Sequence, residues 1–221
     1  IMKKLFLSLM LLASFTPSLA EPITSSDHNT PHAMGCMLLQ ECTDGVIEIT
    51  SMKDLEKHYG KVYPIASTEF DALVDASNKA GVRVYLAPNK YFLPRNRGVY
   101  HTVGNNFFLN EDYMSDSAQL MSVMRHEGWH AVQDCMAGTI NNSMIAIVHD
   151  EKDIPQFWRD IASDTYPDSV LPWEQEAMWA GHVEYMTLDA LRVCGSDQKL
   201  WEVYNPTPLT RQYLVEEGYI K

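Results

Sequence analysis

The stretch His126-Glu127-Gly128-Trp129-His130 restricts this chain more than any other five residues in it. Residues i and i+4 of a helix stand one above the other on the same face. On a helix, therefore, both imidazoles reach one metal ion while the glutamate between them points to a water in the same place. The flanking sequence predicts that helix: Asp116 is a good N-cap with Gln119 at the third helical position, and Gly138 stands where a helix stops. With eight histidines in the chain, a chance HExxH has a probability on the order of 1%. Two neutral nitrogens plus a carboxylate suit Zn2+, with a fourth position left for water.

Two imidazoles do not complete a site, so a third ligand has to come from downstream. The extended pattern HExxHxxGxxH is absent, because Gln133 and Met136 occupy the glycine and final histidine positions, and no GTxxD-like stretch supplies an aspartate. A helix opened by Pro172 offers Glu174 and Glu176. They lie roughly 200° apart around a helix, so only one can face the ion. Glu176 shares its face with Ala180, Val183 and Glu184, and Glu174 shares its own with Met178 and His182. The residues by themselves leave both open.

The pairing of HExxH with a later helical glutamate resembles the gluzincin metallopeptidases. Within it, Glu176-Ala177-Met178-Trp179-Ala180 is similar to the EAxxFA-like third-ligand segment of the short ImmA/IrrE-type zincins. The resemblance implies an α+β fold, a minimal zincin-like domain in which a small sheet packs on the HExxH helix and a third-ligand helix. It makes His126, His130 and Glu176 the metal ligands, and it implies hydrolysis of peptide bonds in a peptide or protein substrate by zinc-activated water, with Glu127 as general base. The thermolysin-like ExxxD aspartate is missing, since Met178 and Ala180 stand four residues after the two glutamates. Candidate donors to the oxyanion are His182 and Tyr185 on the third-ligand helix and His149 in an acidic loop. The alternative is a non-proteolytic envelope or interaction protein that binds zinc in the same fold.

Residues 1–20 read as a secretory signal peptide, with Lys3 and Lys4 ahead of an apolar run from Leu5 to Phe15 and a small-residue ending at Ala20. That run is too short for a membrane anchor, so no stable membrane insertion is expected after cleavage, and the destination is secreted or periplasmic. Cys36, Cys42, Cys135 and Cys194 then lie in an oxidising compartment, where four cysteines suggest two disulfides with three possible pairings. The short spacing permits a local Cys36–Cys42 loop, which would leave Cys135 with Cys194. A net charge of −12 argues against nucleic acid as a partner.

Along the chain, residues 21–50 read as a leader, extended or mobile over 21–35, which a Cys36–Cys42 disulfide would tie. Residues 51–221 form the zincin-like domain. Helices are expected from Ser51 to about His58, from a capping box at Thr68 to Gly81, around 156–162, and as one long element over 173–193. Residues 82–87 read as a strand, and 98–103 with 106–110 as a hairpin closed by Gly104-Asn105. Residues 106–110 are the expected edge strand along which a peptide would lie, and 196–221 carry no clear pattern.

Overall fold

The structure is a computed structural model that describes residues 23–63 and 66–221, so the signal-peptide reading of residues 1–20 lies outside the described residues. The fold is α+β. A four-stranded mixed sheet is built from β1 (Ile47–Glu48), β2 (Arg83–Ala87), β3 (Gly98–His101) and β4 (Asn106–Asn110), in the order β1-β2-β4-β3. β2 and β4 run parallel, while β1 and β3 flank them antiparallel.

Strand alternation sorts the side chains onto two faces. Val84, Leu86, Phe107 and Leu109 join the main core, with Phe70, Leu73, Met124 and Trp129. Ala87 and Phe108 join a smaller cluster on the other face, with Ala33, Met37, Tyr91 and Phe92. Every residue of β4 is buried, whereas β3 is half-buried throughout. The edges of the sheet are therefore β1 and β3, and the expectation that 106–110 would form an edge is corrected: β4 is an inner strand, paired on both sides. The β3–β4 register pairs His101 with Asn106, so the connection is four residues long and not two.

Nine α-helices occur among the described residues. Helix α1 (Pro31–Leu38) starts at Thr30, whose hydroxyl accepts from the Ala33 amide. It covers the second face of the sheet, and the preceding Asn29 side chain donates to the carbonyls of Asn89 and Phe92. The described part of the expected leader is thus packed into the domain and supplies β1 as well. Cys36 is bonded to Cys42. Helix α2 (Met52–Tyr59) begins where Asp54 accepts from the Ser51 amide. Helix α3 (Ser67–Lys79) begins one residue before the expected cap at Thr68.

Helix α4 (Ser117–Met136) carries HExxH, and the Asp116 side chain caps it by accepting from the Gln119 amide at 2.8 Å. Helix α5 (Gln156–Thr165) packs on α6 (Leu171–Gly181), and α6 and α7 (Met186–Cys194) both pack on α4. The expected single helix over 173–193 is thus broken in two. Its cause is remote in sequence: a buried Arg125–Glu69 ion pair draws the Tyr185 amide onto the Glu69 carboxylate at 2.9 Å, with Tyr185 in the left-handed region at φ 64°. Past the break, Thr187 donates to the Arg125 carbonyl, and its methyl group lies where a Cβ on Gly128 would meet it at 2.8 Å. Only glycine lets the two helices close to this distance. The tail is ordered as α8 (Leu200–Val203) and α9 (Pro208–Glu216), and Thr210 donates to the Ile147 carbonyl. Cys135 and Cys194 form the second disulfide, joining the ends of α4 and α7. No helix among the described residues is long and apolar enough to cross a membrane.

Asp134 on α4 is fully buried. Its Oδ2 accepts from the Tyr100 hydroxyl at 2.9 Å, and its Oδ1 has no partner. Burial pushes its carboxyl up to about 7. Because the folded pKa lies above the unfolded one, the native state holds a proton that the unfolded chain has released, and stability falls as pH rises from about 4 to about 7. Asp134→Asn lacks this dependence. Its Tm relative to wild type is expected to move upward by several degrees between pH 5 and pH 8, on the scale of about 2–4 °C per kcal/mol, and thermal melts at both pH values check it.

Candidate metal centre

His126 and His130 project from one face of α4, and the carboxylate brought to them from α6 is that of Glu174. One ligand atom from each residue lies within 4.8 Å of the others. Glu174 Oε2 is 3.2 Å from His126 Nε2, and Glu174 Oε1 is 3.7 Å from His130 Nε2. Ligand atoms around a tetrahedral ion bound at about 2.0–2.1 Å stand about 3.3 Å apart, which these separations bracket. Glu174 Oε2 is also buried with no hydrogen-bond partner despite its closeness to His126. A buried carboxylate oxygen and an imidazole nitrogen that face each other without a hydrogen bond fit a shared cation. The three residues could hold a metal ion.

Glu176, expected as the ligand, is fully buried and spent elsewhere. Its Oε2 accepts from Trp129 Nε1 at 3.1 Å and Gln133 Nε2 at 2.8 Å, and its Oε1 accepts from the amides of Val148 and His149. The correction has a simple helical origin, for two positions along α6 turn the side chain to the opposite side. Burial pushes the Glu176 carboxyl up to about 7 against the pull of these donors.

Gln133 orients the site from below. Its Oε1 lies 2.8 Å from His130 Nδ1, and its Nε2 also donates to the Trp173 carbonyl at 3.0 Å. With Nδ1 donating its proton to Gln133, His130 Nε2 presents a lone pair toward Glu174. Burial lowers the His130 pKa and keeps that ring neutral. Burial alone would lower His126 too, but the Glu174 and Glu127 carboxylates outweigh it and the net direction is up. Burial would raise Glu174, and the two histidines with Tyr166 outweigh it, leaving that carboxyl low.

Glu127 is buried beside the cluster. Burial, reinforced by Glu174 and opposed by His126 and the Tyr100 main chain, raises its carboxyl to about 7. Strand β3 passes directly over it: a Cβ on Gly98 would sit 2.7 Å from Glu127 Oε1, so a side chain there would displace the carboxylate.

The expected donors do not reach this cluster. His182 lies eight residues from Glu174, about 12 Å by helical rise. Its exposed ring stacks on Trp158 at 4.2 Å, and its Nδ1 is 2.9 Å from the Met178 carbonyl. Tyr185 is 49% exposed at the α6–α7 break. His149 sits in an aromatic box of Trp129, Trp179 and Tyr204. The residue that does reach the centre is Tyr166, just past the end of α5. Its ring is near-parallel to that of His126, 6.4 Å away, and its hydroxyl is turned toward Glu174. Burial and the carboxylates of Glu174 and Glu127 hold its pKa well above the usual phenol range, so it is a neutral donor at pH 7. Nothing in the Ser163-Asp164-Thr165-Tyr166-Pro167 stretch marks it by spacing.

Comparison of the chain with protein-family models, with curated proteins and with solved structures returns no match.

The two glutamates separate by experiment. Glu174→Ala is expected to weaken divalent-metal binding by more than about 100-fold with little change in Tm of the metal-free protein. Glu176→Ala, which strips four buried donors of their acceptor, is expected to retain the ligand set but lower that Tm strongly. Competition against a chromogenic chelator and thermal melts read the two effects.

Proposed function

We propose that this protein is an exported zinc-dependent metallopeptidase of gluzincin type, with His126, His130 and Glu174 holding Zn2+ and Glu127 acting as general base. The observation that carries the reading is the buried convergence of two imidazoles and a carboxylate whose Oε2 lacks a hydrogen bond, with a second carboxylate beside them. When bound there, Zn2+ would supply a water acidified to a pKa of about 7 and a polarised carbonyl.

The chain's own groups then have distinct tasks. Glu127, with its carboxyl near neutrality, accepts the proton of the attacking water and passes it to the leaving amine. Tyr166, a neutral phenol against the ligands, takes the role of donor to the developing oxyanion that the sequence assigned to His182 and Tyr185. Among the described residues strand β3 has no partner on its outer side, so an extended peptide can add there through main-chain hydrogen bonds, and Gly98 leaves room beside it for the Glu127 carboxylate. The signal-like residues 1–20 and the two disulfides support a secreted or periplasmic location.

Purified protein is expected to carry one zinc per chain and to cleave members of a peptide library. Glu127→Gln should keep the zinc and lower kcat/KM by about 10²–10⁴-fold. Folded protein that takes up no zinc even when zinc is supplied overturns the reading, and protein that holds zinc yet cleaves nothing favours the non-proteolytic zinc-binding alternative. Tyr166→Phe should lower kcat by about tenfold or more with KM little changed, because the lost hydrogen bond is made in the transition state.

A further inference from the structure

The chain carries 29 acidic side chains against 17 lysines and arginines, and most of its described arginines are engaged. Arg83, Arg125, Arg159 and Arg192 each pair with a carboxylate, and Arg211 donates to Asn205. Arg95 and Arg97 have no carboxylate partner among the described residues, and both are exposed at the entry to β3.

Their placement is specific. Leu93-Pro94-Arg95-Asn96 forms a turn closed by the Asn96 amide donating to the Leu93 carbonyl, with proline second and Arg95 third at φ 75°. That third position favours glycine, so an arginine there is held at a cost glycine would avoid. The turn delivers Arg97, whose carbonyl is fixed by the Asn110 amide at 2.9 Å. The next residue is Gly98, where a Cβ would sit 2.7 Å from Glu127 Oε1. The Arg97 guanidinium lies over the Tyr113 ring at 5.7 Å, a contact that steadies the side chain while leaving its hydrogen-bond donors free. Its charge also reaches Tyr166, where it opposes the rise in the phenol pKa. A planar donor fork with no carboxylate partner among the described residues, next to the glycine beside Glu127 and at the head of strand β3, has the chemistry to take a ligand carboxylate.

We propose that Arg97 binds a substrate carboxylate, so that the site selects peptides bearing an acidic side chain or a free C-terminal carboxylate near the bond held against Glu127. The inference rests on the reading of the metal centre as a peptide site. In an acidic molecule this cation also overcomes the general repulsion such a substrate meets elsewhere on the surface.

The test measures binding apart from turnover. Zinc-loaded Glu127→Gln protein, and separately zinc-stripped wild-type protein, is titrated by fluorescence anisotropy with labelled octapeptides. One arm places Glu or Gln at each position in turn, all C-terminally amidated. The second arm compares the neutral sequence as free acid and as amide. At one position, or at the free terminus, the carboxylate form is expected to bind about tenfold more tightly. That ratio should fall below about twofold in Arg97→Ala and return in part in Arg97→Lys. The arm that shows the ratio identifies the source of the carboxylate. No ratio above about twofold in either arm, no binding at all, or a ratio that survives Arg97→Ala overturns the proposal. Cleavage of neutral peptides by the wild-type protein without carboxylate preference would overturn the Arg97 proposal and keep hydrolysis. A carboxylate preference in binding with no cleavage would do the reverse.

Discussion

The carboxylate of Glu176 fixes the rest of the site in place. A charged group at zero exposure is costly to bury, by several kcal/mol, and here four donors drawn from α4 and the 148–149 segment offset part of that cost. Those donors set the rotation of α6 against α4 and the path of the loop between them. Once α6 is held at that rotation, Glu174, two positions earlier, can only face His126 and His130. A single helix thereby supplies the cross-link from one side and the carboxylate of the candidate metal centre from the other.

The sheet contributes through one residue that acts at both levels of α4. The Tyr100 main chain opposes the rise in the Glu127 pKa, while its side-chain hydroxyl meets buried Asp134 nearly two turns further along the helix. The Tyr100–Asp134 bond thus ties β3 to the helix, and among the described residues β3 has no neighbouring strand on its outer side.

Much of this was legible in the sequence, in proportion to how local the cause is. The HExxH helix with its Asp116 cap, strand β2 and the Cys36–Cys42 loop all follow from residues a few positions apart. The choice between Glu174 and Glu176 did not, because periodicity says which residues share a face of α6 but not which face meets α4. The deciding residue, Gln133, was readable only as the missing glycine of another motif, whereas its amide in fact joins His130 to Glu176. The break after Gly181 is set by Glu69 and Arg125, 56 positions apart in sequence. Tyr166 reaches the centre through the packing of α5 on α6, and α1 is ordered by the far side of the sheet. Neither leaves a spacing to read.

The Cys135–Cys194 bond spans 59 positions and encloses α5, α6 and the connection that carries Tyr166. Thr139, Asn141, Ser143 and Met144, all exposed, lie inside this covalent ring. A backbone nick among them leaves Glu174 and Tyr166 tethered to the helix that bears His126 and His130, at the effective concentration of a single molecule. A protein exposed to proteolysis would in this way keep His126, His130 and Glu174 together after cleavage in this loop.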